Sequence, residues 1–161
     1  MTKNSIKKIF CLLLSFLLIF TACGCSAKTD YSVGEFSEKI LSLASFSEMK
    51  KLSGNSLSSY FVFSDGAVKR FNVLVSANAE SADTVACFEI AHKEQRKAAI
   101  SGISQYLTNQ TASFRSTISK EYDKVQNRVL AELDNFIILV VCNDTTAVWE
   151  YLNSLGAKEV V

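Results

Sequence analysis

The chain has 161 residues, with 17 Lys and Arg against 16 Asp and Glu and a formal charge of +1. This even balance leaves no basic stripe, which argues against a nucleic-acid partner. With no proline, no repeat and no low-complexity run, the sequence reads as one folded domain behind a short leader.

The leader comes first. Lys3, Lys7 and Lys8 form a positive head, and no acidic residue precedes Asp30. Residues 9–22 are almost wholly apolar and end in the small pair Thr21-Ala22, the pattern of an export signal. The run falls short of the ~20 apolar residues that a membrane-spanning helix needs, which leaves a short uncleaved anchor as the competing reading. Phe20-Thr21-Ala22-Cys23 resembles the lipobox of bacterial lipoprotein precursors, with Phe20 where leucine is usual. The resemblance implies cleavage before Cys23 and a diacylglyceryl group on its sulfur; Cys25 is the rival attachment site. Two acyl chains suffice for stable anchoring, because each buried methylene contributes ~0.8 kcal/mol and one chain alone is marginal. The expected organisation is therefore a signal peptide over 1–22, a lipidated tether over 23–31 and a single α+β domain over 32–161. Loss of the three leader lysines leaves the mature chain at about −2.

Ser32, with Glu35 three residues on, predicts a capping box. Apolar spacing at Val33, Phe36, Ile40 and Leu43 predicts a helix over 33–46. Residues 47–54 break the pattern, and the apolar patch 57–63 fits either a helical turn or an edge strand. Ser64-Asp65-Gly66 is a turn signal. Residues 68–76 alternate as a half-buried strand, with Phe71, Val73 and Val75 on one side. A second strand over 84–91 sets Ala86, Phe88 and Ile90 against Val85, Cys87 and Glu89, and the short connection predicts an antiparallel pair. Ile100, Ile103, Leu107, Phe114 and Ile118 hold one face of a long helix over 92–118. Gly102 costs up to ~1 kcal/mol inside a helix, which points to close packing there. Residues 119–127 form a second short helical piece. Strands follow at 129–133 and 136–142 around an Asp134-Asn135 turn, the latter apolar on both faces and so central in its sheet. A last helix over 145–155 is stopped by Gly156. The order α-ββ-α-ββ-α predicts a two-layer α+β sandwich, a four-stranded, largely antiparallel sheet with helices packed on a face.

The lipobox, the strand Thr84-Val85-Ala86-Cys87-Phe88-Glu89, the long Gln- and Ser-containing helix, Tyr122, Val129 and the run from Asn135 through Cys142-Asn143-Asp144 together resemble a family of uncharacterised small lipoproteins from Gram-positive anaerobic bacteria. That family is a domain of unknown function. The likeness spans residues 33–155 and implies no activity, cofactor or site residue.

Few side chains suggest chemistry. His92, the only histidine, sits at a helix start, where solvation or capping outweighs a role as a base. No His, Cys, Asp and Glu group has metal-ligand spacing, so no cofactor or metal is expected. Cys87 and Cys142 read as small buried hydrophobes or, in an exported protein, as a disulfide. Asp83 and Glu89, near Lys93 and Arg96, read as surface charge. Asp134, Asn143 and Asp144 stand at strand ends, suited to turns and caps or to a cation. Trp149, Tyr151 and Tyr122 could form an exposed aromatic patch for a partner. The sequence thus points to a membrane-anchored extracytoplasmic lipoprotein with Cys23 as its one assigned site, a binding or accessory module of the cell envelope with a possible envelope protein partner; the alternative is an envelope hydrolase with an unrecognised active site.

Overall fold

In the computed structural model, which describes residues 31–160, the first helix starts at the capping box read from the sequence. The Ser32 hydroxyl accepts from the Glu35 N–H at 3.2 Å, and the Glu35 carboxylate accepts from the Ser32 N–H at 2.8 Å. The signal peptide, Cys23 and residues 23–30 of the tether lie outside the described residues.

Helix α1 (Val33–Leu43) leads to β1 (Met49–Lys51) and a single helical turn, α2 (Gly54–Leu57). Strands β2 (Val68–Ser76) and β3 (Thr84–Ile90) follow. A 3-10 turn (Lys93–Gln95) opens the long helix α3 (Arg96–Arg115), and α4 (Ser119–Gln126) comes next. Strands β4 (Val129–Leu133) and β5 (Phe136–Val141), helix α5 (Thr146–Ser154) and strand β6 (Lys158–Glu159) complete the described chain.

The strands form one antiparallel sheet in the order β1-β2-β3-β5-β4-β6. This corrects the expected four strands to six and changes the element order. Both extra strands are short edge pieces. Met49–Lys51 pairs with β2 and Lys158–Glu159 with β4, and neither carries the apolar alternation that marks a strand in sequence. Their lysines suit edges, where charge discourages pairing with other chains. The apolar run at the end of the chain does form a central strand: β5 lies between β3 and β4 and is buried at every position.

The helices cover both faces of the sheet, not one. Phe36 and Ile40 of α1 and Val148 and Leu152 of α5 pack on Val85, Cys87, Ile138 and Val140. Ile103, Tyr106 and Leu107 of α3 and Val125 of α4 pack on Val73, Ala86, Phe88, Ile137 and Leu139. The two sets alternate along each strand, as a two-residue period requires, and the layers run helix, sheet, helix. The sandwich therefore has three layers, because both inner strands are apolar on both sides and each side needs a cover.

Gly102 is the closest approach in the α3 layer. A Cβ there would stand 2.2 Å from the Val62 carbonyl oxygen and 3.1 Å from the Phe63 ring. The loop between α2 and β2 thus docks on bare backbone, the close packing that a glycine inside a helix suggests. Gly156, at φ +87°, ends the chain's last helix in the left-handed region.

Candidate functional site

The hairpin of β2 and β3 buries one acidic side chain at each end, and both correct the expectation of ordinary surface charge. Glu89 lies at the open end, with its side chain 4% exposed. Pairing in the hairpin shifts between Val68 and Arg70, so Lys69 is an extra residue opposite no partner. Consecutive strand side chains normally point to opposite faces. The bulge lifts that restriction, and both Lys69 and Arg70 reach the same carboxylate, Lys69 Nζ at 2.9 Å from Oε1 and Arg70 Nε at Oε2. Asn135, in the β4–β5 turn, donates its amide to Oε1 at 3.2 Å. The Arg70 hydrogen bond, reinforced by Lys69, outweighs burial and holds Glu89 below the usual carboxylate range.

Lys69, Glu89 and Asn135 wall a cleft of about 220 Å³, closed on its far side by the chain leaving β3. His92 and Lys93 stand exposed on its rim. Arg96, from the first turn of α3, donates to Glu132 at 2.9 Å and to the Asp134 carbonyl. The carbonyl becomes available because Asp134 adopts φ +51° in the tight β4–β5 turn.

The turn end of the hairpin is organised differently. Lys124 of α4 reaches Asp83 at 2.9 Å and Glu121 at 3.0 Å. Asp83 also accepts from the Ser47 N–H at 2.7 Å, and Glu121 from the Ala82 N–H at 2.8 Å. Burial pulls the Lys124 ammonium down, but the two carboxylates prevail and raise it. Every polar atom in this cluster is committed to a neighbour within the fold.

The thiols are also accounted for. Cys87 and Cys142 are free and buried. Cys87 lies across from Ile138, four residues along β5 from Cys142, a separation of ~13 Å at the rise of a strand. A disulfide needs Cα atoms within ~7 Å, so the pairing considered from sequence does not form. Burial pushes the Cys87 thiol up to about 12, which keeps it protonated and unreactive. Cys142 donates to the Asp144 carbonyl at 3.2 Å, and burial raises it as well.

The remaining candidates separate in space. Asp134 stands at one end of the sheet and Asn143 and Asp144 at the other, each beside a different strand terminus. The Asp144 carboxylate accepts from the Thr146 N–H at 2.9 Å, the cap read from the sequence. Among the described residues no group of three or more His, Cys, Asp or Glu could hold a metal ion. Tyr122 packs on the α3 face, whereas Trp149 and Tyr151 pack on the α1 face, so the three form no common patch. Lys39 sits 5.7 Å from the Tyr151 ring centre.

Lys69 and Arg70 were not singled out from sequence. The signal that finds them is the hairpin register, which sets Arg70 opposite Glu89, together with the bulge that brings Lys69 along.

The family model described as a domain of unknown function (DUF4358) matches residues 42–142, from the end of α1 to the end of the central strand. The chain belongs to this family. The DUF4358 match takes in the whole β2–β3 hairpin, the cleft and the Lys124 cluster. No curated protein and no solved structure matches the chain. No helix among the described residues is long and apolar enough to cross a membrane.

Proposed function

We propose that the protein is held by a lipid on the outer face of a membrane, and that its DUF4358 domain is a non-enzymatic binding module there. The anchor rests on Phe20-Thr21-Ala22-Cys23 behind an apolar run and a lysine-rich head. Eight extended residues, 24–31, reach at most about 28 Å, so the domain works close to the headgroups.

The observation that carries the binding role is the cleft at the open end of the hairpin. Its cations sit on the strands and on the start of α3, and two of its polar side chains, His92 and Lys93, stand exposed on the rim. By contrast, the buried titratable groups are consumed inside the protein: Asp83 and Glu121 hold Lys124, Glu89 holds Lys69 and Arg70, and Cys87 stays a neutral thiol. Such groups support a scaffold that presents charge more readily than one that transfers protons.

Intact mass and membrane fractionation, native chain beside Cys23→Ala, test the anchor. The expected native mass starts at a diacylglyceryl-modified Cys23, and the variant leaves the membrane fraction or keeps its leader. A native mass with Met1 intact, or starting at an unmodified residue, overturns the proposal.

A further inference from the structure

Going beyond the binding role at the cleft, we propose that the outer edge of β2, at Phe71, takes an extended acidic peptide as an added strand, with an apolar residue beside Phe71 and a carboxylate on either side of it.

The backbone decides which groups face outward. The Ser76 N–H donates inward to the Asp83 carbonyl at the start of β3, and the Val73 carbonyl accepts from the Leu52 N–H on the outer side. Alternate residues of a strand bond to opposite neighbours, so Phe71, two positions before Val73, also turns its N–H and carbonyl outward. Strand β1 covers only Leu74–Ser76. One more bond joins Leu52 to Val73, and the chain then leaves the sheet into α2 at Gly54, where the register would have brought a partner for Phe71. Among the described residues no hydrogen bond reaches the backbone N–H or carbonyl of Phe71. An edge with open donors and acceptors is a template for a further strand.

Side chains set the chemistry. Phe71 is half-buried on the α3 side of the sheet, in one apolar cluster with the partly buried Leu57 and Tyr60. An added residue paired with Phe71 shares that side, where an apolar side chain suits it. Its two neighbours fall on the α1 side, by the two-residue period. Leu74 packs on that side, and Lys51, its partner in β1, stands exposed toward one end of the open stretch. Lys69 lies toward the other end, 59% exposed; of its three ammonium donors one goes to Glu89. The nearest acids along the chain, Glu48 and Asp65, lie outside these two lysines. The same lysines oppose pairing with a second copy, whose edge carries the same charge.

The probe is the blocked peptide Thr-Glu-Val-Glu-Thr, beside its charge-reversed form Thr-Lys-Val-Lys-Thr and a third form N-methylated at the valine. Amide hydrogen exchange at Phe71 is followed by NMR on the full chain in a neutral detergent. The acidic peptide should slow that exchange saturably, by about tenfold or more, because a bonded N–H exchanges only when it opens. N-methylation removes the donor to the Phe71 carbonyl and should weaken the effect. Lys51→Glu should weaken the apparent affinity about fivefold, the reach of one reversed exposed charge. Lys120→Ala, exposed on α4, should leave it unchanged. The proposal is overturned if the acidic peptide leaves Phe71 exchange unaltered or if the lysine peptide slows it equally. It is also overturned if Phe71 becomes protected without peptide as protein concentration rises, which would assign the edge to a second copy. The readout depends neither on Cys23 nor on the cleft, so the edge can fail while both of those stand, and the reverse.

Discussion

The two ends of the β2–β3 hairpin each bury a carboxylate, and they satisfy it in opposite ways. At the turn end the cation is buried too: Lys124 is 9% exposed and Asp83 3%. At the open end only the acid is buried, and the cations that hold Glu89 remain more than half exposed. The first arrangement closes on itself. Both charges have left water and each depends on the other, while Asp83 and Glu121 also accept backbone N–H groups from the loops before β1 and β3. The second arrangement keeps the Lys69 ammonium largely in water while it holds the buried acid. The turn end therefore reads as a closed strut, and the open end as an arrangement that stays in contact with water.

Removing one partner of the strut is the sharpest way to break this comparison. Asp83→Ala leaves Lys124 buried with Glu121 alone and the Ser47 N–H without its acceptor. Loss of one member of a buried pair destabilises by about 3 kcal/mol or more. Urea unfolding should show a lower midpoint at unchanged slope. The double variant Asp83→Leu, Lys124→Met should recover much of the loss, because apolar side chains of similar volume replace buried pairs well. A single variant as stable as the native chain would show that the strut carries no weight.

Gly102→Ala comes next. Its Cβ would meet backbone, the Val62 carbonyl oxygen, and backbone cannot rotate away as a flexible side chain would. Overpacking of this kind costs about 1–3 kcal/mol. The displaced loop runs directly into the Lys69 bulge, and its Ala67 carbonyl accepts from the Ala91 N–H beside the cleft. The substitution should therefore shift the His92 ring signals while lowering the denaturation midpoint. Unmoved His92 signals would separate the loop from the open end.

The parts of this molecule legible in sequence are those fixed by local pattern. The Ser32–Glu35 capping box, the alternation of Ala86, Phe88 and Ile90 against Val85 and Cys87, and the buried run 136–141 all follow from spacing within a few residues. Strands β1 and β6 were not legible, because segments of three and two residues become strands only by pairing with neighbours already in place. The second helical layer was missed for a related reason. Periodicity shows that a helix has an apolar face but not which side of the sheet receives it. Glu89 and Asp83 were misread because both are charged, and their burial depends on partners 19 and 41 positions away, Arg70 and Lys124. Of the cleft, His92, Lys93, Glu89 and Arg96 were visible as residues, but Lys69 joins them through a bulge that no local pattern announces.

The open end should give the smallest stability effect and the most informative pH dependence. Glu89→Gln keeps an acceptor for Asn135 and lets the exposed Lys69 turn toward water, so the loss should be about 1.5 kcal/mol, typical of a hydrogen bond to a charged group. The native Glu89 lies below its ordinary value of 4.5, chiefly through Arg70. A depressed carboxyl contributes stability that is present above 4.5 and lost as pH falls through the lower folded value. The gap between native and Glu89→Gln midpoints should thus be widest near neutral pH and close progressively below pH 4.5. Lys124 has the opposite sign. Held above its ordinary 10.5, it contributes below that pH and loses the contribution as pH rises past it. Denaturation midpoints of native, Glu89→Gln and Lys124→Met chains across both ranges check the pair of signs. If the Glu89→Gln gap persists unchanged well below pH 4.5, the carboxylate's charge does not hold the open end together, and Lys69 owes its position to the bulge.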